Sequence, residues 1–136
     1  MSEAVKKQRQ QFRNIHLLQL LNYRFPLASI VSILHRISGA LLFVLLPFIL
    51  FLLEKSLTSE MSFEYFRGLA SHWLVKLVFL ALAWAYLHHF CAGIRHLFMD
   101  VHIGGTKDGA RKSALSVLIV SVLLTLLVAL KLFGVF

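Results

Sequence analysis

Three apolar stretches, Pro26–Leu53, Trp73–Ile94 and Ser113–Leu130, take up half of the chain and limit what it can fold into. Each reaches the ~20 residues that a helix needs to cross ~30 Å of hydrocarbon. None alternates with the period of a strand, and a backbone in lipid must satisfy its own hydrogen bonds, so these stretches are expected to be helices. Composition agrees: 59% of the 136 residues are hydrophobic and the mean hydropathy is +0.80, outside the range of a water-soluble domain. The expected fold is an all-α membrane protein. Three transmembrane helices, at about 26–53, 73–96 and 113–132, form a single domain spanning 1–136 behind a polar segment, 1–25. The early apolar patch His16–Leu21 is too short for the core of a cleavable signal peptide, so the first span is expected to act as an uncleaved anchor.

The formal charge of +8 raises the question of nucleic acid, but the basic residues do not line one soluble face. They gather at the ends of the spans. Lys6, Lys7, Arg9, Arg13 and Arg24 precede the first, against Glu3, while Arg95, Lys107, Arg111 and Lys112 follow the second, against Asp100 and Asp108. The connection between the first two spans holds Glu54, Glu60 and Glu64 against Lys55 and Arg67. By the positive-inside rule the N-terminus and the second connection are expected to be cytoplasmic, with the first connection and the C-terminus outside. The partner implied by this pattern is the lipid bilayer and not nucleic acid. The single cysteine, Cys91, lies within the second span, which excludes an intrachain disulfide and leaves packing as its simplest role. Gly104, Gly105 and Gly109, with Thr106 and Asp108, mark a turn before the last span.

Ionisable groups inside spans are costly, about 2.5–3.5 kcal/mol each at the bilayer centre on insertion scales, so they must face protein, water or a bound group. The first span contains Ser32-Ile-Leu-His35-Arg36-Ile-Ser38-Gly39, in which Ser32 and Arg36 are one turn apart, as are His35 and Gly39. In the second span His89, Gly93 and His96 share one face, at i, i+4 and i+7. Counted from the cytoplasmic ends of the two antiparallel helices, His35 lies ~13 Å deep and His89 ~9 Å deep. The two imidazoles therefore reach nearly one layer, with Gly39 and Gly93 leaving room for a bulky neighbour. Haem iron in electron-transfer proteins is commonly held by neutral imidazole, and haem propionates favour cations such as Arg36 or a protonated His35.

Other roles account for the same residues. A lone intramembrane histidine also serves as a hydrogen bond between helices, and spacing does not separate this from ligation at His89. Arg36 can snorkel to the surface, Ser32 can bond back to its own helix, and the two glycines can serve close packing alone. Arg95, His96, Lys107, Arg111 and Lys112 read most simply as topology determinants and lipid-headgroup contacts. Trp73 reads as an interfacial anchor, Tyr86 as a packed aromatic, and His72 and His102 as boundary residues in water. His88 lies on a different face from His89.

The two motifs together, with Arg24-Phe25-Pro26, Met99-Asp100 and Arg111-Lys112-Ser113, resemble the cytochrome b membrane-anchor family of succinate dehydrogenase, and the likeness covers most of the chain. The resemblance implies a helical bundle completed by a second small anchor subunit, in complex with a flavoprotein and an iron–sulfur subunit. It implies haem b shared between the two anchors, with His89 as axial iron ligand and the second ligand from the other anchor. It also implies that Ser32 and Arg36 line a ubiquinone site and that His35, with Arg36, lies by the propionates. Succinate itself would be oxidised elsewhere, since the chain has no flavin-binding glycine-rich turn and no cysteine cluster. A polar start without an organelle presequence points to a bacterial inner membrane. Two other readings stand beside this one: a haem-free anchor of a fumarate reductase-type complex, and a small transporter lined by the intramembrane His and Arg.

Overall fold

The computed structural model of the chain describes residues 16, 18, 19 and 22–135, and the basic cluster Lys6, Lys7, Arg9 and Arg13 lies outside them. Among the described residues four long helices follow one another: α1 (Leu27–Thr58), α2 (Glu60–Ser71), α3 (Trp73–Asp100) and α4 (Lys107–Leu132). α1, α3 and α4 are each long and apolar enough to cross a membrane. Among the described residues the fold is thus all-helical, with three candidate spans.

Local chemistry sets the helix boundaries. α1 begins after Pro26, whose fixed φ of −64° suits a helix start, and ends where Ser59 turns extended at φ −157°. Pro47 sits within α1 without ending it. Ser59 then caps α2: its hydroxyl accepts from the Ser62 backbone N–H while the Ser62 hydroxyl accepts from the Ser59 N–H, a reciprocal box with both distances 3.2 Å. The sequence reading had only a connection here, so α2 is an addition. Its aromatic residues Phe63, Tyr65 and Phe66 alternate with Glu60, Glu64 and Arg67, the pattern of a helix lying in an interface.

His72 caps α3 from the position before its start: its Nδ1 accepts from the Leu74 N–H at 3.3 Å. α4 starts six residues ahead of the apolar stretch, because the Thr106 hydroxyl accepts from the Gly109 N–H at 3.1 Å. The turn between them holds His102 at φ 63° and Gly104 at φ 80°. A β-carbon at Gly109 would lie 2.8 Å from the Gly104 carbonyl, so the tight approach of turn to helix needs glycine there.

α1, α3 and α4 pack on one another, α2 against α1 and α3. The buried positions form stripes of helical spacing: Val31 and Ser38 on α1, Ala85, His88, Ala92 and Arg95 on α3, and Ala114, Val117 and Ser121 on α4. Small side chains predominate, as expected where van der Waals packing and not water exclusion brings helices together. The apolar cluster centres on Val31, Ala92, Ala114 and Val117. Of the apolar window of α1 only 6% is buried, so most of that helix faces outward from the chain.

Candidate functional site

The α1–α3 crossing brings the two motifs together. The imidazoles of His35 and His89 stack with centroids 4.2 Å apart and planes inclined by 13°. The His96 ring lies 5.0 Å from that of His35, at 40°. Each glycine serves the histidine of the other helix. A β-carbon at Gly39 would lie 2.6 Å from His89 Cε1, and one at Gly93 would lie 3.6 Å from His35 Nε2. The absence of a side chain at Gly39 is what admits the His89 ring against α1.

His89 is held from one side. Its Nδ1 lies 3.0 Å from the His35 carbonyl oxygen and 3.3 Å from Ser38 Oγ. A carbonyl only accepts, so Nδ1 carries the proton and donates to it. The Ser38 hydroxyl donates to the same carbonyl at 3.0 Å, which leaves its lone pairs facing Nδ1–H. With the proton on Nδ1, Nε2 presents a lone pair, and no hydrogen bond reaches it among the described residues. An imidazole with one nitrogen fixed by a carbonyl and the other open has the form of a metal-ligating histidine. Ser38, four-percent exposed and central to this arrangement, was not singled out in the sequence reading. Its signal was its position three residues after His35, where a hydroxyl reaches back to the helix carbonyl.

Although three imidazoles gather here, no group of three or more His, Cys, Asp or Glu side chains is arranged to hold a metal ion among the described residues. The cluster offers one prepared nitrogen and not a chelate. Ser32 is half-buried and Arg36 exposed, on the α1 face one turn apart. Ser32 makes no hydrogen bond to its own helix, and Arg36 has no carboxylate partner among the described residues.

Two residues, Arg95 and Tyr86, differ from the sequence reading. Arg95 is not on the open surface: it is 6% exposed, and its Nε donates to Ser113 Oγ on α4 at 3.0 Å. It falls on the small-residue stripe of α3 and is drawn into the α3–α4 seam. Tyr86, read as packed, is 59% exposed, because it projects from the side of α3 opposite the seam. His88 is fully buried and stacks on Trp84 at 5.4 Å, and neither ring nitrogen has a hydrogen-bond partner among the described residues. The Val31 backbone is a polar neighbour of that ring but does not meet hydrogen-bond geometry. Cys91 packs beside the apolar cluster, as its place in the span suggested.

Over residues 8–128 the chain matches the family described as succinate dehydrogenase/fumarate reductase transmembrane subunit. It is 40% identical over 106 residues to the succinate dehydrogenase cytochrome b556 subunit of Coxiella burnetii, covering 76% of this chain and 84% of that one. It is 35% identical over 105 residues to the subunit of the same name in Paracoccus denitrificans, covering 77% and 81%. The corresponding figures for Rickettsia prowazekii are 32% over 105 residues, 77% and 82%.

Proposed function

The chain belongs to the succinate dehydrogenase/fumarate reductase transmembrane subunit family, and from that premise we propose that it is a haem-bearing membrane anchor of succinate dehydrogenase that also shapes a ubiquinone-reduction site. The relatives are named as cytochromes, which favours this reading over a haem-free anchor. It places the chain in the inner membrane of a bacterium, with a flavoprotein, an iron–sulfur subunit and a second small anchor as partners. Succinate is oxidised in the flavoprotein and not in this chain.

The observation that carries the proposal is the state of His89. Its Nδ1 proton is engaged by the His35 carbonyl at 3.0 Å and Nε2 is left with its lone pair, which fits one axial position of a haem b. A second nitrogen ligand would come from the other anchor, and His35, with Arg36, would hold the propionates. The haem, when bound, supplies a one-electron store whose potential depends on axial ligands, burial and nearby cations. The task of this chain toward it is orientation: the His35 carbonyl and Ser38 hydroxyl fix the imidazole plane and its tautomer, and Gly39 clears the space beside the ring.

Ser32 and Arg36 are assigned to the quinone. Electrons from the iron–sulfur subunit raise the negative charge on the quinone oxygens, and reduction to quinol takes up two electrons and two protons. A hydroxyl donor and a fixed guanidinium one helical turn apart stabilise that developing charge. The exposure of Arg36 in the isolated chain suits a residue whose partners lie outside it. The positive-inside orientation turns this end toward the soluble subunits.

The deciding experiment is a dithionite-reduced spectrum of the purified complex joined to two activity assays. A b-type absorption band is expected. Arg36→Ala or Ser32→Ala is expected to lower quinone reductase activity at least tenfold, while succinate oxidation by a soluble artificial acceptor stays within about twofold of the parent. A complex without haem, or an equal fall in both activities, would reject the assignment.

A further inference from the structure

The α3–α4 seam holds a charged group that the haem and quinone reading does not use. Arg95 lies on α3 six residues after His89, about 240° around the helix, and so faces away from the imidazole cluster. A guanidinium has five N–H donors. The one hydrogen bond of Arg95 runs from Nε to Ser113 Oγ at 3.0 Å, and that hydroxyl donates onward to the Ala110 carbonyl at 3.2 Å. No carboxylate pairs with Arg95 among the described residues, although Asp100 and Asp108 belong to the same end of the bundle. Arg95 is 6% exposed as a residue and has no counter-ion among the described residues, so its charge carries a desolvation cost that an anion seated against it would offset.

Space for such an anion is present. Arg95, Ser113 and Ser116 line a cavity of about 330 Å³ whose other walls are apolar, including Ile94, Phe98, Ile103 and Val117. The cavity lies where α3 ends and the turn begins, the level of the cytoplasmic headgroups in the orientation set by the charged connections. Along the chain, Lys107, Arg111 and Lys112 outnumber Asp100 and Asp108 in the segment that joins α3 to α4 and opens α4. Apolar walls fit hydrocarbon, the guanidinium fits a phosphate, and the two lie end to end. A free inorganic anion would meet only half of this surface.

We propose that the cleft between α3 and α4 is a binding site for an anionic phospholipid of the cytoplasmic leaflet. Arg95 is the ion-pair partner of its phosphate, and Ile94, Phe98 and Val117 receive the start of an acyl chain. The site ties the ends of α3 and α4 together through a ligand as well as through Ser113.

The test is native mass spectrometry of the delipidated protein, purified with whatever subunits it retains and titrated separately with phosphatidylglycerol, phosphatidylcholine and inorganic phosphate. One phosphatidylglycerol per chain is expected to survive, with an affinity about tenfold above that for phosphatidylcholine. Arg95→Gln is expected to remove that tenfold preference. Ser116→Phe, which fills the cleft and leaves Arg95 in place, is expected to abolish retention even if Arg95→Gln fails to assemble. Lys76→Gln, at the opposite end of α3 and far from the cleft, is expected to change affinity less than twofold. Equal retention of the two lipids, undiminished retention in Ser116→Phe, or displacement of the lipid by equimolar inorganic phosphate would each overturn the proposal. So would failure of the parent protein to bind phosphatidylglycerol, the result expected if a segment of a partner subunit fills the cleft.

Discussion

At His89 one ring nitrogen is fixed by a carbonyl and a hydroxyl of α1 and the other is open, whereas at His88, one residue earlier, both nitrogens are buried with no partner among the described residues. A step of 100° around α3 separates the two. It turns His89 toward Gly39, where backbone approaches closely and polar atoms are within reach, and turns His88 into the packed stripe with Ala85 and Ala92. The more buried ring is the less suited to ligation, because a ligand needs an accessible lone pair with the rest of the ring held in place. Burial alone would select His88, and geometry favours His89.

The largest effect that bears on this contrast is loss of the proposed ligand. His89→Ala is expected to leave the purified complex with less than a tenth of the parent haem, read from the reduced spectrum, while His88→Leu keeps it; the reverse pattern would exchange the two assignments. Gly39→Ala is expected to come next. Its β-carbon would meet the His89 ring at 2.6 Å, and relieving that overlap costs about 1–3 kcal/mol, visible as partial haem loss with a shifted absorption band. His88→Leu separates packing from polarity: replacing two unpartnered nitrogens by an apolar group of similar size is expected to leave the melting temperature unchanged or raise it by a few degrees, about 1 kcal/mol. A marked fall in melting temperature would mean that His88 has a partner in the assembled complex. Ser38→Ala is the smallest. The His35 carbonyl still holds Nδ1, so the loss is about 0.5–1.5 kcal/mol, seen as slightly faster haem dissociation and no change in haem content at rest.

The three spans were legible because length and apolarity suffice to define a helix in lipid, as in α1, whose apolar run is unbroken even by Pro47. α2 was not. Its 12 residues are mixed in polarity, and the box that starts it uses serine in both roles where the usual signature has an acidic or amide partner. Within one helix, spacing brought out the shared face of His89, Gly93 and His96. It did not reveal that Gly39 opposes His89 and Gly93 opposes His35, because that depends on how α1 and α3 are rotated about their axes when they pack. Arg95 was misplaced for a related reason. Its position at the end of a span is a matter of counting, but its burial follows from the repeat of Ala85, His88, Ala92 and Arg95 at i, i+3, i+7 and i+10, a pattern that charge counting passes over.

The hydrogen bond from His89 to the His35 carbonyl forms within a single polypeptide, between two helices that a short connection through α2 already joins. The ring thus loses its rotational freedom when the chain folds and not when anything binds to it. Immobilising such a side chain costs about 0.5–1.5 kcal/mol in association, and here that entropy is spent beforehand. An anchor built this way meets its partners with the tautomer already chosen, which makes the order of assembly less critical than it would be for a flexible imidazole.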